Sequence, residues 1–269
     1  DRAEEKAVKA IQKHSIKING LQYNRKIDEA YLLLGQARYF DRRFFPALEA
    51  FNFLLESGAN QNVYLQGKIW REKTNIRLKN YQLAIKNLRP LATRLISQNK
   101  HFPQANATLA SAFINLKEID SASFYIKRAA LKAPKRKLKA RYLFITGQLF
   151  ESLGKKDSAL WAYQEIIALK RRVPRKFSIQ AKIKKTLLDS SALFEDRVQT
   201  LYDLIKNFEN LPYQHVLNRS IGTLYLQEDQ DSTALVYFEK SLQSPSIDSF
   251  TQIENYQDLA EYNFEKGNY

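Results

Sequence analysis

The chain has 269 residues, 44% of them hydrophobic and 26% charged, with 43 Lys/Arg against 28 Asp/Glu for a formal net charge of +15. It contains no cysteine, which excludes disulfides, thiolate chemistry and cysteine-based metal sites within it. No apolar run reaches the roughly 18 residues of a membrane-spanning helix, and the mean hydropathy of -0.47 suits a chain that surrounds a continuous core with polar faces.

Residues 1–14 read as one amphipathic helix with Ala3, Ala7 and Ala10 on a single face. Because the chain opens at Asp1 without a methionine, the expectation is a processed or excised fragment. A partner helix and any targeting segment would then lie upstream. Residues 16–27 form a longer connection carrying the turn signal Asn19-Gly20. Helical hairpins follow at about 28–58, 63–97, 103–133, 139–171, 177–209 and 213–244, and residues 249–269 read as an incomplete further unit with the turn Gly267-Asn268. Five prolines, at 103, 134, 174, 212 and 245, fall between hairpins, and Pro46 occupies a first helical turn where its missing N–H costs nothing. Pro90 lies inside the apolar run from Ala84 to Ile96, so a kink or early break is expected there. Asp120-Ser121, Asp157-Ser158 and Asp231-Ser232 read as polar caps opening second helices.

The hairpins are one motif repeated. Ala47, Ala84, Ala122, Ala159 and Ala234 each open a second helix at intervals of 37, 38, 37 and 75 residues, the last being two periods. Twelve positions before the alanine stand Gly35, Ala110, Gly147 and Gly222. Nine before it stand Phe113, Phe150 and Tyr225, and four after it Phe51, Tyr163 and Phe238. Antiparallel helices approach closely only where one offers a small residue, so the small residues set the contact and the aromatics fill its flanks. This is the tetratricopeptide-repeat (TPR) pattern. The fold class it predicts is an all-α solenoid, a right-handed superhelix of about six to seven hairpins forming a single array over 1–269. The unit at 177–209 is degenerate, with Arg197 where its alanine should stand.

Enzyme chemistry has little to build on. His14, His101 and His215 are far apart and lie in no metal-ligand spacing, and the chain has neither a glycine-rich phosphate loop nor a GxSxG elbow. The expectation is a chain with no catalytic residues, metal or cofactor and no small-molecule substrate.

Charge points instead to a binding surface. Residues 1–200 hold 39 Lys/Arg against 17 Asp/Glu, and residues 201–269 hold 4 against 11. Two clusters flank successive inter-repeat loops: Lys127 to Arg141, including Lys135, Arg136 and Lys137, and Lys170 to Lys176, including Arg171, Arg172 and Arg175. In one solenoid they would form a basic ridge. Such a ridge is either a solvated face or a docking edge for an acidic protein, an anionic glycan or lipid headgroups. Nucleic acid is the weaker reading, since these loops lack interleaved aromatics. One helix also breaks the repeat, with Glu72 in place of the small residue and Asn75 in place of the aromatic. A carboxylate there needs a partner in Arg71, Lys73 or a neighbouring helix. Either the pair fixes register, or Lys73 and Arg77, one turn apart, hold an acidic group of a partner. The second arrangement is half of the carboxylate clamp of chaperone-binding TPR domains; Gln36 and Phe40 occupy the other half.

Four segments go beyond a general TPR match: IDEAYLLLGQARYFDRRFFPALEAFNFLLES (27–57), IWREKTNIRLKNYQLAIKNL (69–88), QANATLASAFINLKEIDSA (104–122) and ARYLFITGQLFESLGKKDSALWAYQEIIALKRRVPRKFSIQA (140–181). They resemble the SprE/PorW family of TPR lipoproteins of the type IX secretion and gliding machinery of Bacteroidetes, most specifically in FFPALEAFNFLL and IWREKTN. The resemblance implies an outer-membrane lipoprotein facing the periplasm, its lipidated cysteine upstream of Asp1. It further implies a scaffold linking the secretion translocon to other periplasmic proteins, without catalytic residues. The alternative is a TPR module that binds envelope polyanions through the basic ridge.

Overall fold

The computed structural model describes residues 2–18, 21–24, 26–95 and 99–267. The Asn19-Gly20 turn, the end of the second hairpin at 96–97 and Asn268 lie outside the described residues. Among those described, fourteen α-helices follow one another: α1 (Arg2–His14), α2 (Lys26–Phe40), α3 (Phe44–Glu56), α4 (Gln61–Arg77), α5 (Tyr81–Arg94), α6 (Phe102–Asn115), α7 (Ile119–Lys132), α8 (Arg136–Ser152), α9 (Lys156–Ala168), α10 (Arg175–Leu188), α11 (Phe194–Lys206), α12 (Gln214–Gln227), α13 (Asp231–Leu242) and α14 (Ser249–Glu265). Short 3-10 segments at Lys170–Arg172 and Phe208–Tyr213 link α9 to α10 and α11 to α12. Between α1 and α2 the strands Lys17–Ile18 and Leu21–Gln22 pair antiparallel, Lys17 opposite Gln22.

The chain divides into two compact units, Asp1–Gly154 and Lys155–Tyr269. In the first, each helix from α1 to α8 packs on the next, and α2, α4 and α6 also touch in succession. In the second, α9 to α14 pack the same way, with α10 on α12 and α12 on α14. Helices that contact both their sequence neighbour and the one beyond form a stack, which is how TPR hairpins bury faces they cannot bury alone.

The close contacts occur where small residues stand. Ala47, Ala84, Ala110, Ala122, Ala159 and Ala234 are fully buried, as are Phe51 and Tyr163, with Phe113 and Phe238 nearly so. A Cβ added at Gly35 would lie 2.4 Å from Phe51 Cε1, and one at Gly222 would lie 3.1 Å from the Ala234 carbonyl oxygen. Gly147 is buried in α8 and Phe150 beside it. Tyr225 is half-buried, stacked on Tyr237 at 5.7 Å.

The period returns in the backbone. Arg42, Lys79, Lys117, Gly154 and Asp229, each five residues before a repeat alanine, all take left-handed φ values between 55° and 68°. At four of these turns the next residue donates its N–H to the carbonyl five residues back: Arg43 to Arg38, Asn80 to Asn75, Glu118 to Phe113 and Gln230 to Tyr225, at 2.8–3.0 Å. This is the Schellman closure of a helix C-terminus.

The expected caps are corrected, and of the two outcomes expected at Pro90 the early break does not occur. Glu118, Lys155 and Gln230, not the Asp-Ser pairs, occupy the N-cap positions of α7, α9 and α13, and their side chains make no capping bond. Asp120, Asp157 and Asp231 sit in the first turn, where their charge favours the positive end of the helix dipole. The helix α5 does not break at Pro90 but runs on to Arg94. Pro90 is exposed, as is Lys86, whose carbonyl loses its helical donor to the proline and can turn to water instead.

In the degenerate unit Arg197 replaces close packing with polar bonds. Its Nε donates to the Thr186 carbonyl at 2.9 Å, and its Nη2 donates to the Leu187 carbonyl at 3.0 Å and to Gln227 Oε1 at 3.2 Å. The guanidinium thereby closes the C-terminus of α10, whose last carbonyls have no helical donor.

Candidate functional site: a cationic, aromatic groove

A cavity of about 750 Å³ in the first unit crosses α2, α4, α6 and α8. Tyr39 and Phe40 from α2 and Trp70 from α4 form one wall, with ring centroids 5.3 Å and 5.6 Å apart in edge-to-face geometry. Phe40 remains 72% exposed. Gln104, Thr108, Ser111 and Asn115 of α6 supply neutral polar groups, and Ile76 and Ile145 apolar ones.

The charges in this cavity are all of one sign. Lys73, Arg77, Lys79 and Arg141 line it, and no carboxylate is among the described lining residues. The Lys73 ammonium stands 4.1 Å from the Trp70 ring centroid, and Arg77 lies over Phe44 at 5.6 Å. Neither these two nor Arg141 forms an ion pair with a described carboxylate. Burial pulls the Lys73 pKa down to about 8, and the nearby Arg141 guanidinium adds to the fall. A cation held in a desolvated place without an anion is a standing electrostatic cost, partly relieved by the indole face.

Glu72, adjacent to Lys73 in sequence, serves a different purpose. It is 1% exposed and accepts from Arg71 Nε at 2.8 Å, Asn75 Nδ2 at 2.7 Å and Asn87 Nδ2 at 3.0 Å. The two positions that break the repeat, Glu72 and Asn75, therefore satisfy each other and tie α4 to α5. Lys73 is left to the groove.

The other sequence-predicted contacts lie elsewhere. Lys135, Arg136 and Lys137 are exposed at the start of α8 in the first unit, and Arg171 and Arg172 are exposed in the 3-10 turn of the second. Arg175 is engaged internally, donating to Asn210 Oδ1 at 2.7 Å and Glu209 Oε2 at 2.5 Å. Arg141, which sequence reasoning placed only within the loop cluster, lines the groove. It stands six residues before Gly147, whereas Lys73 directly follows the small-residue position, so no shared repeat register pointed to their meeting.

Among the described residues, no group of three His, Cys, Asp or Glu could hold a metal ion, and no helix is long and apolar enough to cross a membrane. His215 of the second unit lies 3.2 Å from Ser246 Oγ through Nδ1 and 3.4 Å from Asp248 Oδ2 through Nε2. The Asp248 carboxylate also caps α14 by accepting from Thr251 N at 2.8 Å, and Ser241 Oγ donates to the His215 carbonyl at 2.7 Å. This cluster joins α14 to α12 and α13.

No family model and no curated protein matches the chain. Solved structures do. A tetratricopeptide repeat protein from Parabacteroides merdae matches with a TM-score of 0.64 at 13% identity, over 90% of this chain and 88% of that one. The C-terminal part of a TPR repeat-containing protein from Cytophaga hutchinsonii matches with a TM-score of 0.63 at 12% identity, over 94% of this chain and 93% of that one. At such identities the likeness is one of fold, and that fold is the tetratricopeptide repeat.

Proposed function

We propose that this chain is a non-catalytic protein-binding scaffold of the type IX secretion and gliding machinery, carried on an outer-membrane lipoprotein and exposed to the periplasm. There it joins the translocon to periplasmic components. The observation that carries the binding role is the groove of the first unit, where several cations and an aromatic wall face one cavity with no carboxylate among the described lining residues. The TPR fold supports this reading, because stacked hairpins present a wide surface of side chains on successive helices. The segments that resemble the SprE/PorW family support the cellular setting.

Crosslinking mass spectrometry on detergent-solubilised envelope tests the proposal. Crosslinks from Lys73 and Lys79 to secretion subunits are expected; crosslinks to no secretion subunit would overturn it. A second reading, retention on envelope polyanions, draws on the exposed Lys135, Arg136, Arg171 and Arg172, which form no ion pair with a described carboxylate. Reversing these four to glutamate should abolish salt-labile retention on lipopolysaccharide or peptidoglycan if that reading holds. Under the scaffold reading the reversal leaves the groove crosslinks in place.

A further inference from the structure

We infer that the groove of the first unit takes an extended acidic segment of a partner protein, with one carboxylate held jointly by Lys73 and Arg141 and a neighbouring aromatic or aliphatic side chain seated on Tyr39, Phe40 and Trp70. This deepens the scaffold reading and rests on it.

The charge argument comes first. Lys73 and Arg141 reach one cavity from α4 and α8, helices separated by α6, and no described carboxylate answers either. Like charges brought together this way repel until an anion enters between them. The indole face already neighbours the Lys73 ammonium, which orients it into the cavity and leaves its remaining N–H donors for a ligand. The surroundings then select the type of anion. Exposed Phe40, the Trp70 edge, Ile76 and Ile145 give apolar contact beside the charges, which suits a peptide side chain better than a glycan or a polyphosphate.

The polar groups on α6 favour a main chain over a compact ligand. Asn115 Nδ2 donates to the Ser111 carbonyl at 2.8 Å, which leaves Oδ1 to accept from a ligand N–H. Gln104 adds an amide able both to donate and to accept. A cavity of about 750 Å³ has room for a short stretch of chain.

The test uses the full chain. A displayed library of randomised ten-residue peptides is selected on the wild type and counter-selected on the double variant Lys73→Met/Arg141→Met. The selected pool is expected to be rich in Asp or Glu beside aromatic or aliphatic residues. Its best peptide should bind the wild type at least about tenfold more tightly than its Asn/Gln analogue, and at least about tenfold more tightly than it binds the double variant. That peptide should also perturb Trp70 fluorescence and lose affinity as pH rises from 7 to 9. The double variant should melt no lower than the wild type, so its loss of binding is not a loss of fold. The inference is overturned by a selected pool without acidic enrichment, by equal binding of the neutral analogue, or by full binding to the double variant. It is equally overturned if the wild type self-associates through the groove and the double variant does not, because the occupant is then a second copy. Envelope crosslinks separate the two levels: secretion-subunit crosslinks that persist in the double variant leave the scaffold standing without this ligand, and loss of every crosslink in the wild type removes both.

Discussion

At Lys73 stability and binding pull in opposite directions. Its pKa in the folded chain is about 8, against an ordinary lysine value of 10.5. Between those two values the unfolded chain holds a proton that the folded chain has lost, so stability should rise with pH across that window. Below about pH 8 both forms are charged and the desolvation cost is present in full. Lys73→Met should therefore stabilise the protein at pH 7 by about 1–3 kcal/mol, with an advantage that shrinks toward pH 10. Paired urea titrations at pH 7 and pH 10 would check this, and a Met variant less stable at pH 7 would contradict it. Glu72 should behave oppositely. Removing its carboxylate leaves Asn75 and Asn87 without their acceptor, so Glu72→Ala should cost about 3 kcal/mol in the same titration. The need to pair Glu72 was legible in the sequence, since a carboxylate at a helix contact has no other choice. Its partner Asn87 was not, because that amide comes from the facing helix.

At the scale of the helix pair, what could be read depended on how strictly geometry constrains residue type. Alanine recurs at the second-helix contact because a larger side chain would separate the backbones, and a constraint on size leaves a mark in the sequence. The left-handed turn residue recurs just as strictly in the structure, yet it is Arg42, Lys79, Lys117, Gly154 and Asp229, because a single strained dihedral costs only about 1–2 kcal/mol and many residues accept it. The cap assignments failed because the helices begin one or two residues earlier than the polar pairs suggest, so Glu118, Lys155 and Gln230 take the N-cap positions and the aspartates fall in the first turn. Gly35 illustrates the strict case. Gly35→Ala places a methyl group against the fully buried Phe51 ring, which has no room to move, and should lower stability by about 1–3 kcal/mol in thermal or denaturant unfolding. An unchanged midpoint would mean that α2 and α3 do not touch there.

For the molecule as a whole, the division at residue 154 redistributes the charge. Residues 1–154 hold 28 Lys/Arg against 12 Asp/Glu, a net +16, and residues 155–269 hold 15 against 16, a net -1. The sequence contrast between residues 1–200 and 201–269 concealed this, since the basic stretch after 154 offsets the acidic residues that follow it. The excess positive charge thus belongs to the unit that contains the groove. Residues 1–154 expressed alone should melt cooperatively as a helical protein, because repeat stacks depend on near-neighbour contacts. They should also bind the selected acidic peptide with nearly the affinity of the full chain, weakening as salt is raised. A fragment without helical circular dichroism, or with peptide affinity reduced more than about tenfold, would count against this autonomy.

The arginine that replaces the repeat alanine gives the second unit an uneven resistance to pulling. Its hairpin of α12 and α13 is closed by dry contact between small residues and a ring, Gly222 and Ala234 beside Phe238, which must slide past one another before they part. The helices α10 and α11 lack that small-residue contact and add to their apolar cluster a guanidinium bonded to two carbonyls at a helix end, and water can replace those bonds one at a time. Tension along the chain should open this joint at a lower load than its neighbours, lengthening the unit by one discrete step while its other hairpins stay folded. The second unit would then contain one place that gives under load before the rest of it unfolds.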